Sequence, residues 1–101
     1  MKALIVAPGC DPREGNIANT LKTLQDIVGG YIEVICPFGD RVALICNEEG
    51  KLLGLPANRT ITNGAFMDVI VGTFILVAAG EEDFESLTDK EIEKYTEMFR
   101  V

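Results

Sequence analysis

The sequence contains no histidine and no tryptophan. Without histidine it lacks the usual general base near neutral pH, the commonest metal ligand and the usual catalytic triads. Cysteine is sparse. Cys10, Cys36 and Cys46 are an odd count with no close pair, which argues against a disulfide framework and for a reducing, cytoplasmic setting. No apolar run approaches the roughly 20 residues of a spanning helix. The longest, Val69 to Ala79, holds Gly72 and Thr73. The apolar stretch near Met1 is too short for a signal peptide. Clustered Lys and Arg are missing as well, which excludes tight binding to a nucleic-acid polymer and disfavours an anionic membrane.

What remains is an ordinary globular composition. Of 101 residues, 48% are hydrophobic and 25% charged, which implies a single domain over 1–101 with a core of its own. The net charge of −7 is unevenly spread. Residues 1–80 carry eight acids and six bases, whereas residues 81–101 carry eight acids against Lys90, Lys94 and Arg100. A small anion held by one or two well-placed bases remains compatible with this balance, because that depends on local geometry.

Lys2 to Ala7 reads as a strand ended by Pro8-Gly9, and residues 8–17 as a polar loop. Asn19 is the expected N-cap of a helix with Leu21, Leu24 and Ile27 or Val28 on its apolar stripe, ended by Gly29-Gly30. Tyr31–Cys36 and Arg41–Cys46 form a hairpin around Pro37–Asp40. A short strand over Lys51–Leu55 follows. Asn63-Gly64 then predicts a type I′ turn joining Arg59–Thr62 to a long strand from Ala65 to Ala78. Its Val69–Val77 part is apolar on both faces, the pattern of a central strand. Thr88 with Glu91 matches a capping box before a C-terminal helix buried through Ile92, Tyr95 and Phe99 or Met98.

The order predicts an α+β domain, with a mostly antiparallel sheet of about five to six strands and two helices, one after the first strand and one C-terminal. A symmetric hairpin sets Cys46 opposite Tyr31, roughly 16 Å along the strand from Cys36, too far for a disulfide or a shared zinc. Both faces of that hairpin are apolar, and two short helices cover little more than one. A curled sheet or a second copy would close the other, so a homo-oligomer is expected.

No catalytic residue, metal ligand or cofactor is assigned. Cys10 lies in the loop Gly9-Cys10-Asp11-Pro12-Arg13, but no evident base would activate it. Residues 47–59 hold two glycines, a proline, two asparagines and an arginine, a composition suited to a shaped loop. Asn58 and Arg59 there are the candidate ligand-binding pair, with a guanidinium fork for a carboxylate or phosphate beside an amide. Pairing of Arg59 with a surface acid and capping of a turn by Asn58 is the plainer alternative. Thr73 follows a glycine that marks a bulge, a close approach or a packing constraint. Tyr31, at a strand start, offers a ring for stacking on a base or for covering the sheet. The acidic residues Glu81, Glu82, Asp83 and Glu85 suit docking on a basic protein surface, in the extreme as a mimic of DNA, or simple solvation.

Five stretches in this order carry a resemblance. They are Gly29-Gly30-Tyr31-Ile32-Glu33-Val34, Ala43 to Leu52, Gly54-Leu55-Pro56-Ala57-Asn58-Arg59, Gly72-Thr73-Phe74, and Glu81-Glu82-Asp83-Phe84 followed by Leu87-Thr88-Asp89. Over nearly its full length the chain resembles the bacterial and phage family catalogued as domain of unknown function 3846. The resemblance brings no catalytic residues. It implies a small accessory protein of phages or mobile elements, with an anti-defence role such as sequestering a nucleotide immune signal. The expectation is a non-catalytic cytoplasmic protein that binds a small anionic ligand such as a nucleotide. The alternative is an acidic module that binds a host protein.

Overall fold

Among the described residues the chain runs β1 (Lys2–Val6), β2 (Arg13–Asn16), α1 (Leu21–Val28), β3 (Ile32–Ile35), β4 (Val42–Asn47), β5 (Ala57–Asn63), β6 (Phe66–Val71), β7 (Phe74–Ala79), β8 (Phe84–Glu85) and α2 (Asp89–Met98). This is a computed structural model, and it describes residues 1–101 except for the side chain of Phe66. A six-stranded sheet has the order β2-β1-β7-β4-β3, with β8 pairing to β7 beyond the end of β1. β5 and β6 form a separate hairpin, and every strand pair is antiparallel. The fold is the α+β class that the element order implied.

Strand alternation builds two cores, because successive side chains point to opposite faces. Leu4, Val6, Val42, Leu44, Phe74 and Leu76 lie on one face, covered by Leu87, by Tyr95 and Phe99 around α2, and by Ile61 and Ile70 of the hairpin. Ala3, Ala43, Ile45, Ile75 and Val77 lie on the other, covered by Leu24 and Val28 of α1. The β5–β6 hairpin is therefore the missing cover: both faces of the central strands are closed within one chain. An open apolar face is no longer a reason to invoke a second copy.

The helix ends follow from local chemistry. Thr20, rather than Asn19, caps α1, its hydroxyl accepting from Thr23 N–H at 3.2 Å. Gly29 closes α1 with a φ of 81°, a left-handed conformation that glycine adopts without steric cost. At α2 the Thr88–Glu91 capping box is complete. Of the two alternatives for the buried stripe of α2, Phe99 is buried and Met98 is half exposed.

Four local expectations are corrected. The β3–β4 register is two residues off the symmetric one, so Cys46 faces Glu33 and not Tyr31, although the faces are unchanged because the shift is even. Arg13–Asn16 pairs with β1 as an edge strand that no apolar alternation betrays. Residues 51–54 form turns instead of a strand, with Gly54 at a φ of 69°. The β5–β6 turn is centred on Gly64-Ala65, with positive φ at Gly64 alone, the demand of a type II′ and not a type I′ turn.

The long strand predicted from Ala65 to Ala78 breaks at Gly72 and Thr73 into β6 and β7, which belong to different sheets. Gly72 has a φ of 72°, and a Cβ there would stand 2.8 Å from Leu55 Cδ1. Positive φ turns the chain, and the missing side chain makes room for Leu55. Packing against Leu55 accounts for this glycine.

Candidate functional site

The 3- and 4-residue spacing of Ile92, Tyr95 and Phe99 presses one stripe of α2 onto the sheet. Lys94 and Met98, four residues apart, are left on the stripe beside it, facing the hairpin. Across from them, β5 presents Arg59, Thr60, Ile61, Thr62 and Asn63. Between the two lies a cleft of about 410 Å³. Its floor is buried: Pro37, Ile61, Tyr95 and Phe99, with Phe38 half-buried beside them. Lys94, Met98, Arg100, Thr60, Thr62 and Asn63 make the exposed rim.

Aromatic contacts stiffen the floor. The Phe38 and Tyr95 rings are 4.8 Å apart, and Phe74 meets Phe99 edge-on at 5.6 Å. The Tyr95 hydroxyl donates to Asp40 Oδ2 at 2.5 Å. Burial and that bond to a carboxylate push the Tyr95 pKa well up, so the phenol stays neutral. Partial burial pushes Asp40 up, but the Tyr95 hydroxyl, Val42 N–H and Lys94 together draw its pKa below the usual value.

The electrostatics of the cleft run against those of the whole chain. Three of the nine bases (Arg59, Lys94 and Arg100) line it, and none of the sixteen acids does. Lys94 reaches Asp40 at 3.4 Å and Arg100 reaches Glu97 at 2.7 Å. The Arg100–Glu97 pair is open to solvent and therefore weak, whereas the Asp40 carboxylate is partly buried and also held by the Tyr95 hydroxyl and Val42 N–H.

The sequence-predicted residues do not converge. Arg59 uses all five of its N–H groups internally: Nε and Nη2 on the Phe99 carbonyl, Nη2 also on the Cys10 carbonyl, and Nη1 on the carbonyl and side-chain oxygens of Asn58. Its charge reaches the cleft, but its fork is engaged. Asn58 donates to the Val6 and Gly72 carbonyls, each at 2.8 Å, which ties β5 to the ends of β1 and β6. Thr73 is half-buried beside Gly72 and does not line the cleft. Tyr31 is exposed at the far end of α1, in a hollow with Gln25, Asp26 and Glu49. Glu81, Glu82 and Asp83, on the β7–β8 connection, gather with Glu85 of β8. There the Asp83 side chain accepts from Phe84 N–H, and Glu85 faces Arg41 at 3.6 Å.

Lys94 and Arg100 were missed as site residues because they lie in the most acidic stretch of the chain, where the local sum hides them. The one available signal was the pairing of Lys94 with Met98 on a helix already assigned.

A family model described as domain of unknown function (DUF3846) matches residues 1–100. The chain belongs to that family. No curated protein and no solved structure matches it. For this DUF3846 chain the cleft therefore stands on its own geometry. Among its described residues no helix is long and apolar enough to cross a membrane, and no group of three or more Cys, Asp or Glu side chains is placed to hold a metal ion.

Proposed function

We propose that this chain is a non-catalytic binding protein that holds a small anionic ligand in the cleft between β5 and the C-terminal half of α2. One observation carries the reading: in a protein of net charge −7, this cleft collects three bases and no carboxylate over an apolar floor. Low-dielectric walls with one sign of charge concentrate ligands of the opposite sign. Lys94 and Arg100 would bind phosphate, Thr60, Thr62 and Asn63 would supply hydrogen bonds, and Met98 and Phe38 would cover an apolar or planar part. A nucleotide fits this description. In the phage and mobile-element setting implied by the family resemblance, the role is sequestration of a nucleotide signal in the cytoplasm.

The test is thermal denaturation against a panel of linear and cyclic nucleotides. Ligand at a hundred times its Kd adds about 2.7 kcal/mol, which for a domain of this size raises Tm by more than about 10 °C. A variant carrying Lys94→Gln and Arg100→Gln should keep nearly its own Tm and lose the ligand shift. A panel without effect at millimolar concentration rejects the proposal.

A second reading rests on the three carboxylates of the β7–β8 connection together with Glu85 of β8. Gly80 N–H donates to the Asp83 carbonyl at 2.9 Å, and a Cβ at Gly80 would meet that oxygen at 2.6 Å, so the turn is tight. We propose it as a docking point for a basic protein surface. Capture of such a partner should weaken with salt and vanish when Glu81, Glu82 and Asp83 become Lys. Salt-insensitive capture rejects it.

A further inference from the structure

β5 is pinned at both ends of the cleft. Alternation puts Arg59, Ile61 and Asn63 on one side of the strand, and Ile61 is buried in the core that α2 covers. Arg59 grips the Phe99 carbonyl at one end, next to Arg100. Asn63 Nδ2 donates to the Pro37 carbonyl at the other, next to Phe38. Between the two pins β5 advances roughly 13 Å, at ~3.3 Å per residue. A mononucleotide laid lengthwise fits that span. The ends differ in chemistry. Two guanidinium charges stand at the Arg59 end. At the Asn63 end the amide has one orientation, because only Nδ2, and never Oδ1, can face a carbonyl oxygen. Among the described residues Asn63 Oδ1 receives no hydrogen bond, and Nδ2 keeps a second hydrogen. The cleft is thus offered an acceptor and a donor on one fixed, planar group. The hydroxyls of Thr60 and Thr62 rotate and impose no such pattern.

We propose that Asn63 selects the base, and that the ligand is an adenine nucleotide with its phosphate toward Arg100; this rests on the cleft reading above. Oδ1 accepts from the N6 amine and Nδ2 donates to N7. An asparagine amide matches those two neighbouring atoms of adenine in one plane. Guanine presents two acceptors on the same edge, so its O6 would face Oδ1. A pyrimidine presents only one hydrogen-bonding group there, an acceptor or a donor. The half-buried Phe38 ring, one residue beyond the carbonyl that holds Asn63, gives the base a face to stack on.

The test is calorimetric titration of the wild-type chain with the 5′-monophosphates of adenosine, inosine, guanosine, cytidine and uridine, and with 7-deaza-adenosine monophosphate. Adenosine monophosphate should bind roughly tenfold or more tighter than the inosine compound, which carries an oxygen in place of the N6 amine. The 7-deaza compound, which lacks N7, should lose roughly fivefold or more. Asn63→Ala also gives up the Pro37 contact, so the decisive readout is a ratio. Loosening of the hairpin weakens adenosine and inosine monophosphates alike, whereas loss of base reading brings their affinities to about the same value. Binding without base preference, preference for another base, or an adenine preference that survives Asn63→Ala overturns this inference and leaves the anion cleft standing. So does binding by other nucleotides of the denaturation panel but by none of these monophosphates. If neither set binds, the cleft reading falls as well.

Discussion

Arg59 of β5 donates from Nε and Nη2 to one acceptor, the Phe99 carbonyl just past α2, at 3.1 and 2.7 Å. The same guanidinium reaches the Cys10 carbonyl at 2.6 Å, so a single side chain ties the hairpin, the C-terminus and the loop after β1 together. Helix C-termini leave carbonyls without intrahelical partners, and a planar fork of five donors is suited to gathering several of them. Arg59→Lys keeps the charge but not the fork. It should cost about 2–3 kcal/mol in urea unfolding, nearly as much as Arg59→Ala, because partly buried carbonyls are left unpaired. Equal stability of Arg59→Lys and wild type would show that the carbonyls find water instead.

Gly72 should tolerate no side chain. Gly72→Ala forces a non-glycine residue to a φ of 72° and sets its Cβ against Leu55. The expected loss is about 1–3 kcal/mol. Adding Leu55→Ala should recover only the steric part, since the backbone strain persists. Full recovery in the double variant would assign the whole cost to the contact.

Acid should weaken the fold by a route that two carboxyls share. Arg41, as the main cause, holds Glu91 below its ordinary pKa of 4.5, and the Thr88 N–H and hydroxyl add to this. Asp40 is held below 3.8 by its hydrogen bonds, against the upward push of burial. A carboxyl depressed by folding stabilises the native state above its unfolded pKa, and that contribution fades as pH falls through the folded value. Stability set by these groups should therefore be flat near neutrality and decline below about pH 4.5. Tyr95→Phe removes the hydroxyl held by Asp40. It should cost about 1–2 kcal/mol at pH 7 and flatten the acid limb, as read by Tm against pH.

The three thiols should separate by reactivity. Cys46 is buried, and burial with the nearby Glu33 and Asp68 charges pushes its pKa to about 11. Cys10 and Cys36 are exposed. A thiol-disulfide reagent at pH 8 should titrate two groups quickly, and the third only on the timescale of unfolding. Three equally fast thiols would mean that β4 opens readily.

Much of the fold was legible in the chain because it is written locally. The continuous apolar runs of β1, β4 and β7, the glycine after Val28 and the Thr88–Glu91 box each act within a few residues, and all but the start of β7 hold their expected places. β2 was not legible, since Arg-Glu-Gly-Asn becomes a strand only because the β1 edge offers it partners. The break at Gly72 was visible as an anomaly. What it separates, two strands in two sheets, depends on Leu55 arriving from elsewhere.

The residues themselves determined the α+β class, the two apolar faces and the absence of a histidine-based site, because side-chain periodicity and chemical type need no partner to be read. Tertiary structure alone decided that the β5–β6 hairpin covers the second face, that the donors of Arg59 turn inward, and that Lys94 and Arg100 meet across from β5. The reason is physical: a charge or a hydrogen-bond donor has a fixed identity along the chain, but its use is set by what lies within a few ångströms, and for Arg59 those neighbours come from as far as 49 positions away.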